Sequence, residues 1–165
     1  LIGTYTMVPP RRVEDVGSLV YGTMEMVSSD KTRNYVVLDK KLGNFFNYNI
    51  YKTDKAYGEV SIPMPTDLAK IYKAYIKEAG IEHGDLLFPS SKGNEFENFS
   101  EYVTHVFSKV IDKKVTANIL RHSFISYFLS QIRTQEEETI IAKAMGHSRN
   151  MQKQYLRMEL LKKDE

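Results

Sequence analysis

Phe45-Phe46-Asn47-Tyr48-Asn49-Ile50-Tyr51-Lys52 alternates along the chain: Phe46, Tyr48, Ile50 and Lys52 share one parity, Asn47 and Asn49 the other. A period of two belongs to a strand. Thr53-Asp54-Lys55 has turn chemistry and Val60-Ser61-Ile62 resumes the strand pattern, so the segment reads as a β-hairpin. Pro63 and Pro65 end it, because proline cannot donate to a strand ladder. From Asp67 the period lengthens. Leu68, Ile71, Tyr72, Tyr75, Ile76 and Ala79 form one helical stripe, and Gly80 supplies a C-terminal stop.

Working outward, Tyr35 to Leu38 reads as a short strand and Asp39 to Asn44 as a turn. Further upstream, Pro9-Pro10 suits a helix start. Val13, Val16, Leu19 and Val20 follow at helical spacing, with Gly22 as the stop. Downstream, Leu86 to Pro89 is extended. Asn98 with Glu101 resembles a capping box ahead of a helix carrying Val103, Phe107 and Val110. A helix from about Asn118 to Ile132 aligns Leu120, Phe124, Phe128 and Ile132. Glu136, Glu137 and Glu138 open another that runs through Ile140, Ile141 and Ala144 to Gly146, their charge suiting the helix dipole. Met151 to Leu161 reads as a last helix. Strands grouped together and followed by helices predict a mainly helical α+β domain with a small antiparallel sheet, not a parallel α/β sheet.

The 165 residues suit one domain, and 42% of them are hydrophobic. No apolar run is long enough to cross a bilayer as a helix. Cysteine is absent, which excludes disulfides and cysteine-ligated zinc. The net charge is only +2. Its distribution is more informative: from Lys113 onward ten Lys and Arg face six Asp and Glu, and a basic third of the chain suits a DNA-facing surface.

The stretch richest in chemistry is Leu120-Arg121-His122-Ser123-Phe124, followed by Met145-Gly146-His147-Ser148 and then Tyr155. Arg121 and His147 are 26 residues apart, and Tyr155 follows His147 by eight. This order and spacing resemble the C-terminal half of the tyrosine recombinase (phage integrase) family. The resemblance implies the catalytic-domain fold of that family across residues 1–165, excised from a longer protein with a separate N-terminal DNA-binding domain. The chain's start on Leu1-Ile2-Gly3 without an initiator Met agrees with that expectation.

Strand cleavage by a tyrosine must stabilise extra negative charge on a pentavalent phosphorus. Arginines do this with paired donors that keep their charge. The resemblance implies that Tyr155 is the nucleophile and that Arg121 and an upstream arginine hold the phosphate. It implies that His147 adds a hydrogen bond and that a hairpin lysine protonates the leaving 5′ oxygen. Two frames fit the upstream arginine. Arg12 puts Asp15 at +3, Val16 at +4 and Leu19 at +7; Arg11 puts Glu14 at +3 but Ser18 at +7. The apolar positions favour Arg12, leaving Arg11 as the alternative or as a phosphate contact. Lys52 is favoured as the lysine over Lys55, which with Arg11 and Arg149 is expected to contact DNA.

One position departs from the family pattern. A histidine is usual three residues before the second arginine, and Asn118 stands there. Asparagine can donate and accept hydrogen bonds but cannot shuttle a proton. His83 and His105 lack partner motifs and read as structural or exposed. Double-stranded DNA is the expected partner, with a homotetramer on DNA, no membrane association, no metal or other cofactor and an intracellular location. The Pro9-Pro10-Arg11-Arg12 opening points toward a virus or mobile element. A type IB topoisomerase-like activity and a catalytically degenerate DNA-binding relative are the alternatives.

Overall fold

A computed structural model describes residues 1–131 and 133–153. Helix α1 (Ile2–Thr6) leads through Pro9-Pro10 to α2 (Val13–Gly17), followed by β1 (Leu19–Gly22) and α3 (Met24–Ser29). The antiparallel pair β2 (Asn34–Asp39) and β3 (Gly43–Tyr48) comes next. One helical turn, α4 (Asp54–Tyr57), separates β3 from β4 (Val60–Pro63). Helices α5 (Thr66–Ala79), α6 (Phe99–Ile111), α7 (Ala117–Leu129) and α8 (Gln135–Ala144) complete the named elements. Residues 149–153 are helical as well.

The sheet order is β1-β2-β3-β4. β2–β3 and β3–β4 pair antiparallel, as the alternating segment predicts, with Phe46 opposite both Val36 and Ile62. β1 pairs parallel to β2, so the sheet is mixed. Here the expectation needs correcting: α2 stops at Gly17, and Leu19 and Val20 belong to a strand. Their side chains point to opposite faces, as strand neighbours must. Leu19 enters the main core with Val36 and Phe46, whereas Val20 joins Val27, Tyr35 and Val37 on the other face.

The helices lean on caps written locally. Asn98 accepts from the Glu101 amide, Thr116 from Ile119, and Thr134 forms a complete capping box with Glu137. Each such cap stabilises by about 1 kcal/mol. Gly80 closes α5 in the left-handed region at φ 65°. Three positions of the predicted apolar faces lie outside the core: Ile71 is 53% exposed, Val110 is 65% exposed, and Ala79 is exposed as well. On α7 the buried face is Ala117, Arg121, Ile125 and Phe128, a rotation from the expected Leu120, Phe124 and Phe128 stripe, and Ile132 lies outside the described residues. Among the described residues no helix is long and apolar enough to cross a membrane.

Candidate active site

Arg121 owes its inward position to carbonyls supplied by distant segments. Its Nη1 donates to the Pro10 carbonyl at 2.8 Å and the Met145 carbonyl at 3.3 Å. Only 2% of the residue is exposed. A guanidinium can be buried at tolerable cost when its donors are taken. One α7 residue thereby fixes both the segment preceding α2 and the turn after α8.

Arg12 caps the start of α2 with extended backbone and a half-buried side chain. It is common to two adjoining cavities. The smaller, about 380 Å³, is lined by Arg12, Glu14, Ser100, Thr116, Asn118 and Arg121. The larger, about 750 Å³, adds Lys52 but also Asp15, Glu95 and Glu97. The smaller cavity sets two guanidiniums against one carboxylate, so a phosphate is favoured there over the acidic larger one.

Lys52 reaches the larger cavity because its approach is pinned. Buried Asn34 donates through Nδ2 to the Ile50 carbonyl at 2.8 Å. Its Oδ1 accepts the amides of Asn49 at 2.9 Å and Ile50 at 3.0 Å. Beyond the lysine, the Thr53 hydroxyl donates to the Gly146 carbonyl at 3.1 Å. Lys52 itself is exposed. Lys55 is exposed in a separate hollow, lined by Lys31, Asn49, Asp54, Gly58 and Glu59.

His147 lies just past the turn that ends α8, and 2% of it is exposed. Its amide donates to the Ala142 carbonyl at 3.0 Å. Burial pushes the imidazole down to about 4, helped by the positive charges of Arg121, Arg12 and Arg11 and opposed by a hydrogen bond with the Met145 backbone. At neutral pH it is therefore a neutral imidazole, with one donor and one acceptor nitrogen.

Similar solved structures are the crystal structure of XerA recombinase and the Tn1549 transposon integrase in complex with transposon right-end DNA. The first matches 93% of this chain with a TM-score of 0.62 at 20% identity. The second matches 92% with a TM-score of 0.57 at 16% identity. Both are tyrosine recombinases. The fold of this chain is theirs. The chain spans about half the length of each, 49% and 52%. No protein-family model and no curated protein matches the sequence.

Within this tyrosine recombinase fold, Arg12, Asn118 and Arg121 meet at one cavity, and Lys52 meets Arg12 at the next. Asn118 is exposed at the mouth, one turn before Arg121 on α7. Tyr155 lies outside the described residues, two positions after Lys153. Arg11 requires a correction. Expected as a DNA contact, it is 1% exposed, lines neither of the two cavities, and has its guanidinium engaged by protein partners. Its Nε pairs with Asp15 at 3.0 Å. Its guanidinium carbon sits 4.1 Å and 4.5 Å from the ring centres of Tyr48 and Tyr51. Its Nη1 donates to the Ala144 carbonyl at 3.0 Å. Arg149 is engaged by Glu138, with Nη2 3.0 Å from the carboxylate, so a DNA contact would compete with that pair. Sequence reasoning missed Thr53 beyond its turn chemistry; a hydroxyl carries no local signal for a partner 93 residues away.

Proposed function

We propose that this domain breaks and rejoins DNA through a 3′-phosphotyrosine, with Tyr155 as nucleophile. The observation that carries the reading is the convergence of Arg12 and Arg121, from opposite parts of the chain, on one cavity with Asn118 at its mouth. A scissile phosphate seated there receives donors from two permanent cations, which suits the added charge of a pentavalent transition state. As a neutral imidazole, His147 supplies a further hydrogen bond from the turn that Arg121 holds through the Met145 carbonyl.

The Tyr155 oxygen forms the new bond to phosphorus, and the phosphorus–O5′ bond breaks. The Lys52 ammonium gives its proton to the departing O5′, and the tyrosine proton passes to water or a base. A 5′ hydroxyl of another strand then attacks the phosphotyrosine, expelling Tyr155 and restoring the phosphodiester. Strand exchange between two duplexes by a tetramer, in a virus or mobile element, is the role we assign. The fold shared with a transposon integrase supports the mobile-element side of that assignment.

The test is a suicide duplex carrying the element's own site and a nick that lets the cleaved 5′ end diffuse away. Full-length protein should accumulate a covalent DNA adduct, and Tyr155→Phe should abolish it. Absence of any adduct from the unaltered protein would sink the enzymatic reading; an adduct that survives Tyr155→Phe would sink the choice of nucleophile.

A further inference from the structure

The turn that ends α8 gives four consecutive carbonyls to side chains from elsewhere. Arg11 Nη1 takes Lys143 at 3.4 Å and Ala144 at 3.0 Å. Arg121 Nη1 takes Met145 at 3.3 Å, and Thr53 Oγ1 takes Gly146 at 3.1 Å. The turn has little room to relax. Gly146 sits at φ 68°, and a Cβ there would meet the Arg11 guanidinium at 3.2 Å.

Thr53 is the unusual member of this set. It stands at the N-cap of α4, where a threonine hydroxyl ordinarily accepts an amide of its own helix. No such bond forms. The hydroxyl instead reaches across to the residue preceding His147, while its own chain neighbour is Lys52. Asn34 secures the strand side of that loop through Asn49 and Ile50, ahead of Lys52. Thr53 secures the other side, against the histidine turn. The lysine is thus held between one anchor in the sheet and one on the turn before His147.

We propose that Thr53 is a positioning residue that locks the Lys52 loop to the Gly146-His147 turn, so that the ammonium is in place when the leaving oxygen needs a proton. This rests on the reading of Lys52 as general acid given above. A single hydrogen bond contributes about 0.5–1.5 kcal/mol, so its loss should slow a lysine-dependent step by roughly two- to tenfold.

The experiment compares full-length protein, Thr53→Val and Thr53→Ser on two suicide duplexes, one with the ordinary 5′-bridging oxygen at the scissile phosphate and one with sulfur. A thiolate leaves without protonation, so the sulfur substrate bypasses the general acid. Thr53→Val should slow cleavage of the oxygen substrate by about two- to tenfold and leave the sulfur substrate unaffected, and Thr53→Ser should restore the oxygen rate. Hydrogen exchange in Thr53→Val should rise at residues 50–57 and 145–148 together. Equal slowing on both substrates, no slowing on either, or exchange that rises in one segment alone would each overturn the proposal. Absence of an adduct from the unaltered protein on both substrates would overturn the catalytic reading itself, and the exchange measurement would still decide whether Thr53 couples the two segments.

Discussion

Replacing Arg11 by methionine removes a buried cation while keeping most of its volume. The structure sets the cost. Asp15, 3% exposed, loses its 3.0 Å partner, and the Ala144 carbonyl loses a donor. Breaking a buried pair from one side typically costs about 3–5 kcal/mol. Arg12 and Arg121 still act on Asp15, so the lower end is expected, about 3 kcal/mol, or roughly 6–12 °C in Tm for a domain of this size. The pH dependence supplies the sharper test. Burial raises the Asp15 pKa above its ordinary 3.8, and Arg11 is the main charge opposing that rise. A carboxyl with a raised folded pKa costs stability as pH climbs from 3.8 through the folded value, since the folded state must give up a proton it holds more tightly. In Arg11→Met the folded pKa rises further, so the penalty is larger at pH 7.5 than near pH 4. Urea denaturation at both pH values measures it, and adding Asp15→Asn should recover part of the loss at pH 7.5. A loss below about 1 kcal/mol at pH 7.5, an equal loss at both pH values, or a double variant no better than the single would refute the account of Arg11 as a neutralised buried clamp.

His147 gives the opposite sign. Its folded pKa, near 4, is below the ordinary 6.5, so its contribution to stability is full above pH 6.5 and is lost as pH falls toward 4, by up to about 3 kcal/mol. His147→Gln should flatten the stability curve across that window, and an imidazole midpoint near 6.5 by NMR would contradict the burial argument. Asn118→His should speed adduct formation at pH 7–8 by about tenfold or more, because an imidazole at the mouth of the Arg12–Arg121 cavity can take the tyrosine proton. Asn118 is exposed, so the larger ring needs no repacking of the core. An unchanged cleavage rate would mean that proton removal from Tyr155 is not limiting.

The outcome along the chain shows which physical signals are local. Strand alternation at Phe45 to Tyr48, the α5 stop at Gly80, the cap at Asn98 and the acidic first turn of α8 depend on neighbours a few residues away, and all are legible in the sequence. β1 was not. Val16, Leu19 and Val20 carry helical spacing, and only a distant partner, β2, makes Leu19 and Val20 a strand buried on both faces. The two arginines illustrate the same limit at the site. The apolar positions favour Arg12 as the upstream arginine and put Asp15 at +3 from it. Asp15 instead pairs with Arg11 four residues before it, leaving Arg12 to face the cavities. Nothing near Arg11 in sequence announces the rings of Tyr48 and Tyr51 or the carbonyl of Ala144 that bury it. A charge is buried only where the fold brings it compensation, and here that comes from β3, the loop after it and the end of α8. The same contacts join the segment carrying Arg12, the Lys52 loop and the Gly146-His147 turn in one frame. The residues that build this frame, Arg11, Asn34 and Thr53, therefore decide the geometry of the site although none of them is assigned a chemical step.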